Sequence, residues 1–163
     1  MTVQVNIESV TRAAHAFTQS VISHQRNTSG LILMSSTLGE TGTAYASTYA
    51  ASKTYNTILA HGLAAELGKT VNMDVLACVP RPISTPKMAN NSKAEDMAAI
   101  MQTPEQVANE CFYALGQGKY SIATGPIQKV YRFVANRILP TRLPVDAWST
   151  MFEDMTKSMP ALN

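Results

Sequence analysis

The sequence predicts an α/β protein built on a parallel sheet. Three observations carry this. Two apolar runs of strand length, "LILMS" at 31–35 and "VNMDVLACV" at 71–79, are nearly continuous, as strands covered on both faces are. Segments with helical periodicity lie before, between and after them. Gly30, Gly68, Pro80 and Pro82 punctuate the junctions. Strands alternating with helices argue for right-handed crossovers, with helices on both sheet faces.

Taken in order, Asn6 and Glu8 followed by Val10, Ala13, Ala14, Phe17, Val21 and Ile22 read as a capped amphipathic helix. It should end in the loop formers of "RNTSG". Residues 31–35 are the first strand. Residues 49–67 are a long helix with Ala50, Ala51, Ile58, Leu59, Leu63, Ala64 and Leu67 as its small or apolar positions, and Gly68 as its C-cap. Residues 71–79 are the second strand, ended by Pro80 and Pro82. A polar loop follows with Thr85, Pro86 and "ANNSKAED". Pro104 opens a helix to about Leu115, with Glu105 in its first turn. "KYSIAT" is a short third strand, broken by Gly125-Pro126. Helices at about 127–138 and 144–158 flank "LPTRLP". Three strands are few for such a sheet. The first lacks a partner on one side, leaving an edge that needs cover. The chain enters its first amphipathic segment almost at once, as though it starts in mid-fold.

At 163 residues, 45% hydrophobic and 15% charged, the chain can build one domain with a real core. A net charge of +2 is too small to point to a nucleic-acid partner. Cys78 and Cys111 fit neither a metal knuckle nor a disulfide framework and read as reduced core thiols. His15, His24 and His61 have no ligand spacing. No run reaches transmembrane length and no basic-then-apolar leader is present. An intracellular protein, cytoplasmic by default, is the expectation. Lys129, Arg132, Arg137 and Arg142, interleaved with apolar residues, read as a solvated face, with contact to a membrane surface or an acyl-CoA phosphate as the alternative. Met88, Met97 and Met101 could line an adaptable apolar pocket or serve as filler.

The chemistry lies in "SSTLGETGTAYASTYAASK". Tyr49 and Lys53, four apart on a helix, share a face one turn from each other. A phenol is a poor base at neutral pH, and a nearby ammonium stabilises the phenolate. Such a phenol can exchange a proton with a carbonyl or alcohol oxygen. Ser36 follows a buried strand, at the end where open α/β sheets bind ligands, and its hydroxyl could bond the same oxygen. The set suits ketone reduction or secondary-alcohol oxidation. Taken alone, a tyrosine and lysine four apart are usually inert, and a serine pair after a strand is ordinary loop chemistry. The joint context raises the odds.

"GLILMSS", "YAASK" and "VNMDVLACVPRPISTPKM" resemble the C-terminal two-thirds of a short-chain dehydrogenase/reductase. They correspond to the strand into the catalytic serine, the Y-x-[AS]-S-K motif, and the strand with its P-x-x-x-x-T turn. "VNIESVTRAA" is similar to the family helix that begins with an asparagine. The resemblance implies a partial Rossmann fold, a doubly wound parallel sheet keeping about three C-terminal strands. Residues 1–163 would be a single truncated domain, with 126–163 a C-terminal helical extension. It further implies Asn6, Ser36, Tyr49 and Lys53 as catalytic residues: Asn6 holding a relay water, Ser36 orienting substrate, Tyr49 as acid/base, and Lys53 binding the nicotinamide ribose and tuning Tyr49. Tyr49, Lys53, Pro80 and Thr85 would contact the cofactor, NAD(P)(H), with NADPH ahead of NADH. Helices at 8–26 and 49–67 would form a homodimer contact. Two departures stand out. The spacing from Asn6 to Ser36 is longer than usual, and Arg81 stands where the family places glycine. "VPRPISTPKM", "TPEQVANECFYALGQGKY" and "ILPTRLP" are most similar to the branch of 3-oxoacyl-CoA and 17β-hydroxysteroid reductases.

The family's T-G-x-x-x-G-x-G turn, ribose selector and N-N-A-G segment are absent from this sequence. Gly39 and Gly42 read as loop geometry and not as a phosphate cradle. Two readings therefore stand: an oxidoreductase seen as a fragment or as one part of a split enzyme, or a non-catalytic remnant or dimerisation module. An anchor in a preceding segment would place the protein at the endoplasmic reticulum membrane.

Overall fold

The computed structural model describes residues 1–26, 28–89 and 98–157. A π-helical turn, Gln4–Glu8, leads into α1, Ser9–Ser23. Then come β1, Ser29–Met34; α2, Leu38–Thr41; α3, Ser47–Thr70; and β2, Met73–Val79. After these lie α4, Pro86–Ala89; a 3-10 turn, Ala98–Ile100; α5, Pro104–Leu115; β3, Ser121–Ala123; α6, Pro126–Arg137; and α7, Arg142–Lys157. The strands form one parallel sheet in the order β1-β2-β3, with Leu33 opposite Ala77 and Cys78 opposite Ile122. This is the α/β, partial Rossmann architecture expected from the sequence.

The period-2 alternation of β2 divides the core into two layers. Met73, Val75 and Ala77 pack with Ala14 and Val21 of α1 and with Ala60, Ala64 and Leu67 of α3. Leu76 and Cys78 face the other way, onto Val107, Cys111 and Ala114 of α5. Ala60 and Ala64, one turn apart, let the α3 backbone lie close to the sheet. The free thiols of Cys78 and Cys111 meet in the second layer, where the bond to Cys111 and burial push the Cys78 thiol up. Thr103 caps α5 through a capping box with Gln106, whose side chain accepts from the Thr103 N–H at 2.9 Å.

Several expectations need correction. Asn6 caps nothing: it lies inside the π-helical turn, and its amide is spent on another helix. Residues 31–35 are not buried on both faces. β1 is the outer strand, so Met34 is exposed and Leu31 half-buried. Gly68 does not end the long helix. Val71 N–H still donates to Leu67 C=O at 2.9 Å, and the chain turns at Asn72, whose φ of 50° is a left-handed value that asparagine tolerates. Among the methionines near the polar loop, Met97 lies outside the described residues.

Candidate active site

β1 and β2 end side by side, and the segments that leave them are stitched together. Ser35 N–H donates to Cys78 C=O at 2.7 Å. Thr37 donates twice to Pro80 C=O, from its N–H at 3.2 Å and its hydroxyl at 3.0 Å. These bonds frame a cleft of about 510 Å³ outside the C-terminal strand ends, where open α/β sheets take ligands. Ser36, Tyr49, Lys53, Pro80 and Thr85 all line it.

The two serines divide their work. Ser35 is buried; its hydroxyl donates to Lys53 C=O at 2.8 Å and accepts from the Thr57 hydroxyl at 2.7 Å. It fastens the end of β1 to α3. Ser36 is half-buried, and its Oγ accepts from Leu38 N–H at 3.3 Å, which leaves its own O–H to be offered to a ligand. Thr85 Oγ1 accepts from Met88 N–H at 3.3 Å and so starts α4 at the cleft rim.

Tyr49 and Lys53 sit one turn apart on α3. The Lys53 ammonium is 5.5 Å from the Tyr49 ring centre and donates to Met34 C=O at 3.1 Å. Asn56 Nδ2 donates to the same carbonyl at 3.1 Å. Burial holds the Lys53 pKa below its ordinary value. Tyr49 remains 37% exposed and open to the cleft.

Asn6 is not among the residues lining the cleft. Its Nδ2 donates to Ser52 Oγ at 3.0 Å, and Ser52 Oγ donates to Tyr49 C=O at 2.7 Å. The asparagine is thus tied to the turn of α3 that carries both Tyr49 and Lys53.

Sequence reasoning missed one wall. Trp148, Met151 and Phe152 of α7 line the cleft opposite Met34 and Met88, while Met101 does not. Their i, i+3, i+4 spacing marked an apolar helix stripe without saying what it covers. Two hydrogen bonds hold α7 there: Trp148 Nε1–H donates to Tyr131 OH at 2.7 Å, and Ala44 N–H donates to Ser149 Oγ at 2.9 Å. Arg81 also lines the cleft, with its Nε and Nη1 buried and unpartnered.

Hydroxyls, an ammonium and an apolar wall meet in the cleft. Gly39, expected in a loop, lies within α2. A Cβ there would lie 2.8 Å from the Lys53 backbone, so this glycine exists to bring α2 against α3.

A family model described as short chain dehydrogenase matches residues 1–96. No curated protein matches the chain. Among the solved structures that share the fold are three dehydrogenases. A 7beta-hydroxysteroid dehydrogenase has a TM-score of 0.79 and 20% identity over 89% of this chain and 56% of its own. A short-chain dehydrogenase from Sphingobium yanoikuyae in complex with NADPH has a TM-score of 0.63 and 15% identity over 99% of this chain and 57% of its own. A bulky-bulky ketone specific alcohol dehydrogenase from Comamonas testosteroni has a TM-score of 0.58 and 13% identity over 99% and 54%. The chain therefore spans a little over half the length of these structures. With the family model covering more than half of its residues, the chain belongs to the short chain dehydrogenase family.

Proposed function

We propose that this chain carries the proton-transfer site of an NAD(P)-dependent oxidoreductase that interconverts a ketone and a secondary alcohol. The supporting observation is that Ser36, Tyr49, Lys53 and Thr85 converge on one cleft at the strand ends. In reduction, the Tyr49 hydroxyl gives its proton to the carbonyl oxygen; in oxidation it takes that proton back. The Ser36 hydroxyl donates to the same oxygen and holds the carbonyl toward Tyr49. The Lys53 ammonium attracts the negative charge that develops on the phenol oxygen. Asn6, acting through Ser52, is a positioning residue for the first turns of α3; the relay-water role comes from the family resemblance.

A nicotinamide cofactor, when bound, supplies or accepts the hydride. Tyr49, Lys53, Pro80 and Thr85 would hold its nicotinamide end, and NADPH is the form to offer first. In this reading residues 1–163 are the catalytic part of one domain and 126–163 its C-terminal helical extension, from which Trp148, Met151 and Phe152 line the cleft. Met34, Met88, Trp148, Met151 and Phe152 favour a bulky apolar ketone, such as a steroid-like lipid or the acyl chain of a 3-oxoacyl thioester.

A second reading, a non-catalytic dimerisation module, draws support from α3. Ile58 is 63% exposed beside Tyr55, Leu59 and Leu63 in an open groove on its outer face. A homodimer through α1 and α3 fits either reading. Oxidation of NADPH by the purified chain with a panel of bulky ketones separates them. Turnover that Tyr49→Phe lowers by a hundredfold or more supports the oxidoreductase, on the scale of general acid catalysis (roughly 10²–10⁴). Absence of turnover in the wild-type chain removes it.

A further inference from the structure

Helix α6 is packed inside out. Its buried positions are Gln128 and Ala135, a polar and a small residue. Three of its large apolar side chains, Ile127, Val130 and Phe133, face solvent, the last two 65% and 63% exposed, while Tyr131 and Val134 are half-buried. The stripe continues past the helix end through Ile138, Leu139 and Leu143, all exposed. At 100° per residue, Val130 and Phe133 lie about 150° from the buried pair, with Ile127 at the edge of that outward face. An apolar stripe turned outward at this length marks a contact surface.

The charges flanking the stripe select its occupant. Residues 126–145 contain Lys129, Arg132, Arg137 and Arg142 and no acidic residue. Lys129 and Arg142 reach across to Glu110 and Asp146 through exposed ion pairs of the kind that exchange readily for other anions. Arg132 is held by Glu40 on the inner side. A second copy docking by the same stripe would set Lys129, Arg137 and Arg142 against the same three cations. An anionic bilayer surface would meet the apolar stripe with acyl chains and the cations with headgroups. No described helix is long and apolar enough to cross a membrane, so the contact is interfacial.

We propose that α6 and the proline-bounded turn after it form an interfacial docking surface for an anionic lipid bilayer. The surface stands independently of the catalytic reading. Its placement nonetheless bears on access to the cleft: Tyr131 of α6 holds Trp148, and Trp148 is part of the cleft wall.

The test is co-sedimentation of the full chain with vesicles of phosphatidylcholine alone and of phosphatidylcholine with phosphatidylserine. Binding should require phosphatidylserine and weaken as salt is raised. Phe133→Glu, at an exposed position, should weaken binding about tenfold or more while circular dichroism stays unchanged. Arg137→Glu should weaken it on the order of fivefold. Failure of the wild-type chain to sediment with either vesicle overturns the proposal, as does equal binding by Phe133→Glu. If the wild-type chain ignores vesicles and Phe133→Glu converts a dimer to a monomer in sedimentation velocity, the face belongs to self-association and the proposal is likewise overturned.

Discussion

The Lys53 ammonium donates to the Met34 carbonyl at 3.1 Å while standing 5.5 Å from the Tyr49 ring centre. One side chain thus links the end of β1 to the face of Tyr49. Burial makes the charge costly, so the folded protein releases this proton below the ordinary 10.5. Between the lowered folded value and 10.5 the unfolded chain binds more protons than the folded one, so stability from this group rises with pH across that window. Activity should move the other way and fall on the alkaline side as the ammonium is lost. Lys53→Met should abolish activity and flatten the alkaline slope of melting temperature against pH, which thermal unfolding at several pH values would measure.

The adjacent serines should separate cleanly. Ser35→Ala removes a buried hydroxyl that donates to the Lys53 carbonyl and accepts from the Thr57 hydroxyl, and should cost about 1–2 kcal/mol in denaturant unfolding. Ser36→Ala removes one half-buried hydroxyl and should change stability by less than about 0.5 kcal/mol. If the oxidoreductase reading holds, its turnover falls roughly a hundredfold or more.

Two glycines should respond in opposite directions. At Gly39 an added Cβ meets the Lys53 backbone at 2.8 Å, so Gly39→Ala should push α2 from α3 and cost about 1–3 kcal/mol. Gly62 lies in mid-helix with nothing within 4 Å of an added Cβ. Gly62→Ala should therefore stabilise by about 0.5–1 kcal/mol. Equal shifts in midpoint for the two variants would contradict the packing described for α2.

Glu40 and Arg132 pair at 2.7 Å beneath α6. Burial pushes the Glu40 carboxyl above its ordinary 4.5, and Arg132 pulls it part of the way back. The folded state thus keeps a proton that the unfolded state has lost, and stability from this group falls as pH rises from 4.5 through the folded value. Arg132→Gln would leave the carboxylate uncompensated and widen that window upward. The variant should lose about 3 kcal/mol near neutral pH and recover most of it in acid, where Glu40 is protonated. Paired unfolding curves at acid and neutral pH would measure this.

The alternation of strands and helices was legible because β2 and α5 obey local rules: an apolar run in one, and a proline and an acidic residue in the first turn of the other. The convergence of Ser36, Tyr49, Lys53, Pro80 and Thr85 was legible through motif spacing and the family resemblance. What failed to show depends on partners distant in sequence. Gly68 resembles a C-cap in isolation, yet Asn72 carries the left-handed turn. Asn6 resembles an N-cap, yet its amide goes to Ser52, 46 residues away. Trp148, Met151 and Phe152 form a visible stripe, but the bonds that swing α7 over the cleft, from Trp148 to Tyr131 and from Ala44 to Ser149, leave no local trace.

The central claim is that this cleft brings a carbonyl and a nicotinamide together over Tyr49. Transfer of deuterium from NADPH carrying deuterium at both nicotinamide C4 positions to a bulky ketone, read by mass spectrometry of the alcohol, tests it most directly. One deuterium on the carbinol carbon with the wild-type chain, and none above background with Tyr49→Phe, is the predicted result. An unlabelled product with the wild-type chain, or equal labelling with Tyr49→Phe, would contradict it.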